Sequence, residues 1–207
     1  TGSPCKPSWI ITKMENNASS KSCTIVGLGA SAGGIKALES FFQTFPEESD
    51  KAFIVVMHFS PDYPSHMPEL LQQITDLQVL SIESGMEVSA NHVYVIPPDS
   101  DLFIENYCFK VISPRSGRNK QIDVFFISLA EAMGVRAIGI VLSGYDGDGT
   151  EGCKHIKAHG GKTFTQDITA EVDFMPLSAQ ACGFVDFVIP LDKIPDKLKN
   201  LAATLKI

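Results

Sequence analysis

Three stretches of the chain are apolar almost without interruption: TIVGLG at 24–29, AFIVVM at 52–57 and AIGIVLS at 137–143. Runs this short and this rich in β-branched residues read as strands buried on both faces. After the first run, apolar residues at 35, 38, 41, 42 and 45 recur at helical spacing. A loop marked by Pro61 and Pro64 follows the second, and then a short helix near 67–74. QVLSI (78–82) and HVYVI (92–96) read as further strands. Residues 101–113 alternate about Glu105-Asn106, the pattern of a hairpin, either an insertion or an antiparallel edge.

A helix is predicted over 122–133, with Asp123 in the first turn where a negative charge meets the helix dipole. Another is predicted over 149–159, ending at the C-cap signal Gly160-Gly161. TFTQ, VDFVI and a final helix near 194–205 complete the chain. Strand and helix alternate for most of its length. That order predicts an α/β domain: a doubly wound, mostly parallel sheet flanked by helices, with one antiparallel hairpin.

Residues 1–21, rich in Ser, Thr, Asn, Lys and Pro, lack either period and are predicted to be a disordered tail that includes Trp9. Met14 reads as a natural start, with residues 1–13 left from cloning. Residues 22–207 then form a single domain, an ordinary size for one core. The net charge of −7 argues against a nucleic-acid surface. Lys110, Arg115, Arg118 and Lys120 read as a solvated loop. No run of 18 apolar residues and no signal peptide is seen, so no membrane insertion is expected. Five scattered cysteines without a C-x-x-C pair fit a reduced, cytoplasmic protein.

The chemistry-bearing residues gather at the ends of the three apolar runs. Gly29-Ala30-Ser31-Ala32-Gly33 follows a strand and precedes a helix, the context a G-x-S-x-G nucleophile elbow needs. Glycines beside the serine permit a sharp turn. Helix N–H groups behind it can face an oxyanion, Ala32 N–H among them. The same residues also fit the dinucleotide pattern G-x-G-x-x-A, but the acidic residue expected after the next strand is replaced by His58.

His58 stands at the carboxyl end of that strand, the edge where open α/β sheets build sites. Its rivals fare less well. His92 opens a strand, His66 lies in a loop, and His155 and His159 form an i, i+4 pair without a third metal ligand. Ser143-Gly-Tyr-Asp146-Gly-Asp148-Gly149 follows the third run and can aim a carboxylate at an imidazole. A plain acidic turn is the alternative, and the pattern of a calcium loop is absent. Ser, His and Asp at three strand ends are the convergence that a hydrolytic triad requires.

IVGLGASAGG, VVMHFSP, HVYVIPP, IDVFFISLAEAMG, AIGIVLSGYDGDGTEG and DFMPLSA together resemble the catalytic domain of chemotaxis-type protein-glutamate methylesterases, from about residue 23 to 198. The resemblance implies Ser31 as nucleophile, His58 as base and Asp148, rather than Asp146, as the triad acid, with the Tyr145 backbone N–H in the oxyanion hole. It implies hydrolysis of glutamate γ-methyl esters on receptor helices, glutamine deamidation in some members, and neither cofactor nor metal. Ala32 replaces a common threonine and Asp146 a usual glycine, and residues 118–123 lack the family's basic cluster.

Members usually carry an N-terminal receiver domain that gates the site, and none is read in this sequence. The motifs are closer to esterase domains fused to methyltransferase and sensor modules. A catalytically weak regulatory module of such a fusion and a nucleotide-binding domain are the alternatives to an active esterase.

Overall fold

The computed structural model describes residues 23–45, 49–60 and 63–204, with side chains to 201. The expected tail, Trp9, Met14 and Pro61 lie outside the described residues.

Seven strands form one sheet: β1 (Thr24–Ala30), β2 (Lys51–Met57), β3 (Gln78–Ser81), β4 (His92–Val95), β7 (Ala137–Val141), β8 (Lys162–Gln166) and β9 (Phe187–Ile189). Their order is β3-β4-β2-β1-β7-β8-β9, and every pairing is parallel. The three apolar runs are the central strands β2, β1 and β7, in which every residue is buried. A sheet covered on both faces leaves no solvent side for polar residues, which is why these runs do not alternate.

One face is covered by α1 (Gly34–Thr44), α2 (Met67–Gln72) and α6 (Ile194–Thr204). The other is covered by α3 (Gln121–Met133), α4 (Thr150–Ala158) and α5 (Phe174–Ala181). The hairpin β5 (Asp101–Glu105) and β6 (Cys108–Ile112) forms a separate two-stranded sheet beside α3. It is therefore an insertion and not an edge of the main sheet. The segment 174–181, which sequence periodicity left unassigned, is helical.

From β1 the chain passes to β2, goes on to β3 at the edge, comes back to place β4 between them, and then returns to place β7 on the other side of β1. The helix after β1 lies on one face and the helix after β7 on the other. The carboxyl edge between these two strands is thus a topological switch point, where the departing loops diverge and leave a crevice.

Gly29 shows what holds this region so tightly packed. A Cβ there would meet Ile122 Cγ2 at 2.5 Å. The glycine is needed for close approach of α3 to β1, and the sharp turn is made instead by Gly33, at φ 73°. Among the described residues, no helix is long and apolar enough to cross a membrane.

Candidate active site at the switch point

The structure brings Ser31, His58 and Asp148 together. Ser31 is the first residue past β1, and its N–H donates to Ser143 O at 2.9 Å. Its own carbonyl accepts Gly34 N–H at 2.9 Å, which closes the turn into α1. His58 is the first residue past β2. Its side chain is 7% exposed and lies between the other two groups.

His58 Nδ1 is 3.2 Å from Ser31 Oγ, and His58 Nε2 is 2.7 Å from Asp148 Oδ2. A carboxylate only accepts, so the Nε2 proton faces Asp148 and the Nδ1 lone pair faces the serine hydroxyl. The ring thus presents Nδ1 to the hydroxyl and Nε2 to the acid, the reverse of the arrangement in the chymotrypsin-type triad.

Asp148 is fully buried at its side chain and held on all sides. Its carboxylate accepts the N–H of Ile122 at 2.9 Å, of Asp123 at 2.8 Å and of Gly149 at 2.9 Å. These donors belong to the open first turn of α3 and to the loop entering α4, so the helix N-terminus stabilises a charge that burial would otherwise penalise. Asp123 faces back toward α4 and accepts Gly152 N–H at 2.7 Å. Burial, with the neighbouring Asp148 charge as a lesser cause, pushes the Asp123 carboxyl up to about 6, against the opposing effect of the Gly152 bond.

Ser143 ties the loops together. Its hydroxyl donates to Ala32 O at 2.8 Å and accepts Val172 N–H at 2.9 Å. Neither Ser143 nor the α3 backbone donors were identified from sequence. The small hydroxyl in the S-G-Y-D-G-D-G motif was the available signal for the first. The second depends on tertiary placement, which one strand's pattern does not encode.

The two amides proposed for an oxyanion, those of Ala32 and Tyr145, belong to the loops that flank Ser31. Ser31 and Gly144 N–H are already committed, the latter to Val172 O at 2.9 Å. Tyr145 is 77% exposed and stacks on Phe174, with ring centroids 6.3 Å apart. Asp146 turns inward, its Oδ2 3.4 Å from His58 Nδ1.

A cleft of about 460 Å³ opens on Ser31 and is lined by Met57, Phe59 and Ile35 as well as His58. The larger hollow, about 750 Å³, lies between the hairpin and α3 and has no hydrolytic constellation, so size alone misplaces the chemistry.

The rival groups do not converge. His92 Nδ1 bonds Ala90 O near the start of β4, and His66 precedes α2. The rings of His155, on α4, and His159, at its C-cap, lie nearly parallel. Among the described residues, no group of three or more His, Cys, Asp or Glu could hold a metal. Gly27 and Gly29 lie inside β1, where a dinucleotide fingerprint would need them in the turn. Of the four basic residues between 110 and 120, Lys110 pairs with Glu105 and Arg115 with Asp99.

The CheB methylesterase family model matches residues 26–198. A protein of Leptospira interrogans, whose name pairs protein-glutamate methylesterase with protein-glutamine glutaminase, is 32% identical over 173 residues, 82% of this chain and 90% of that protein. A protein-glutamate methylesterase/protein-glutamine glutaminase 2 of Shewanella sp. (strain MR-4) is 33% identical over 189 residues. That match covers 88% of this chain but about half of the Shewanella protein, 54%. Among solved structures, the CheB methylesterase catalytic domain of Thermotoga maritima superposes with a TM-score of 0.79 at 30% identity, covering 87% of this chain and 99% of that one.

Proposed function

Because the chain belongs to the CheB methylesterase family, we propose that it is a serine hydrolase that removes methyl groups from glutamate γ-methyl esters on chemoreceptor-like proteins, using Ser31, His58 and Asp148. One observation carries the assignment of residues: the His58 ring spans Ser31 Oγ and a buried Asp148 carboxylate at hydrogen-bond distance.

Ser31 Oγ attacks the ester carbonyl carbon while its proton passes to His58 Nδ1. Asp148 holds the ring through Nε2–H and stabilises the imidazolium. The backbone N–H groups of Ala32 and Tyr145 bind the oxyanion, each such donor being worth about 10²–10³-fold in rate. The Nδ1 proton moves to the departing methoxide oxygen, and methanol leaves. Water then attacks the acyl-enzyme by the same route and releases the glutamate carboxylate and Ser31. The same steps with a glutamine amide release ammonia, and the paired names of the relatives favour this second reaction.

The exposed Tyr145–Phe174 pair beside the site suits the apolar stripe of a receptor helix. The site of action is the cytoplasm, with attachment to or association with methyltransferase and sensor domains. The test is a serine-directed phosphonate. It should add to Ser31, located by peptide mass, and His58→Ala should abolish the adduct. Labelling at another residue, or equal labelling in His58→Ala, would overturn the assignment.

A further inference from the structure

Asp148 is not the only carboxylate on the catalytic imidazole. Asp146 Oδ2 lies 3.4 Å from His58 Nδ1, the same nitrogen that faces Ser31 Oγ at 3.2 Å. The side chain is 28% exposed, and its other oxygen accepts the N–H of Asp148 at 3.1 Å. The backbone of the triad acid therefore tethers Asp146 in place. The 3.4 Å separation is longer than a good N–H···O bond. That spacing fits a neutral ring, because the Nδ1 lone pair and a carboxylate oxygen are both acceptors.

The contact changes character once Ser31 has given up its proton. Nδ1 then carries N–H, and Ser31 Oγ is bonded to the substrate carbon. Asp146 Oδ2 is the anionic acceptor next to that proton.

We propose that Asp146 is a positioning residue that receives the Nδ1–H hydrogen bond of protonated His58 at the tetrahedral stage and holds the ring until the leaving group takes the proton. No proton is transferred to Asp146. The proton goes from Ser31 Oγ to Nδ1 and on to the methoxide oxygen. This rests on the serine-nucleophile reading above.

Four groups stand around or behind the His58 ring. The Ser31 hydroxyl comes from the loop after β1. Asp146 and Asp148 come from the loop after β7. Asp123, on α3, stands behind Asp148. Lys36 on α1 lines the same cleft, but its ammonium is engaged by Glu171 at 2.8 Å.

The experiment compares the pH profile of Ser31 labelling by a phosphonate, and of methanol release, in the parent and in Asp146→Asn. Asparagine keeps the oxygen that accepts Asp148 N–H but removes the charge. The acid limb of both profiles should move to lower pH, because the variant removes a negative charge 3.4 Å from His58 Nδ1. The plateau of methanol release should fall by about three- to tenfold, the range expected on losing a positioning hydrogen bond. Asp146→Gly should displace the limb in the same direction. An acid limb superimposable on the parent's in either folded variant overturns the proposal. A parent whose Ser31 is unlabelled at every pH overturns instead the nucleophile assignment on which the proposal rests.

Discussion

Asp148 and Asp123 each satisfy the open N-terminus of the helix on which the other depends. Asp148, in the loop before α4, accepts Ile122 and Asp123 N–H at the start of α3. Asp123, in the first turn of α3, accepts Gly152 N–H in the first turn of α4. The acid of the candidate triad is consequently also a structural cap joining two helices, and its loss should be felt in stability as well as in rate.

Asp148→Asn tests that dual role. An asparagine amide turns N–H donors toward backbone N–H donors, and at least one buried donor is left unpaired. The expected loss is about 1–3 kcal/mol, or a Tm lower by roughly 5 °C in a domain of this size. Ester hydrolysis should fall by about 10³–10⁴-fold. An unchanged Tm by calorimetry would contradict the capping role.

The raised Asp123 carboxyl makes a signed prediction about pH. Its folded value of about 6 exceeds the ordinary 3.8, so the fold favours the protonated form. Its stabilising contribution is fully present below the ordinary value and is lost as pH rises through about 6. Urea unfolding at pH 5 and pH 7.5 should therefore show a smaller stability difference for Asp123→Asn than for the parent. The asparagine oxygen can still accept Gly152 N–H. Equal differences in the two proteins would contradict the assignment.

Gly29→Ala places a methyl group 2.5 Å from Ile122 Cγ2, inside a fully packed contact. The variant should lose about 1–3 kcal/mol from overpacking. Because Ile122 N–H holds Asp148, activity should fall with it. Ile122→Ala in the same chain removes the clashing carbons and should restore part of both. A double variant worse than the sum of the two single ones would refute the close-approach account.

Tyr145 and Phe174 are solvent-facing, and their rings stack on each other. Tyr145→Ala should leave stability within about 0.5 kcal/mol of the parent. It should raise KM for a methylated receptor fragment by roughly three- to tenfold, about what removing one exposed aromatic contact costs, and leave hydrolysis of a small methyl ester nearly unchanged. Equal effects on both substrates would show that the pair serves the chemistry and not the docking of a protein.

Much of this was legible before the fold was known. Strands β1, β2 and β7 could be read because a strand buried on both faces is a compact apolar run. Ser31 and His58 could be placed at one sheet edge because each follows such a run, whereas the pattern alone did not choose between Asp146 and Asp148 in the loop after β7; that choice came from the family resemblance. The roles of the glycines were harder to see. Gly29 fits an elbow motif, yet its missing side chain makes room for Ile122, a residue 93 positions away. Helix α5 was missed because it is short, carries Pro176 near its start and leaves Phe174 and Leu177 exposed, so its apolar spacing is blurred. The mutual capping of Asp123 and Asp148 is a tertiary relationship. In the sequence Asp123 marks only a helix start.

The most direct test of the central claim is methanol release from a methylated receptor cytoplasmic fragment, measured for the parent and for Ser31→Ala. The account predicts release by the parent and none above background by the variant, with both proteins folded. Equal release by the two, or none by the folded parent on a receptor from its own organism, would contradict it.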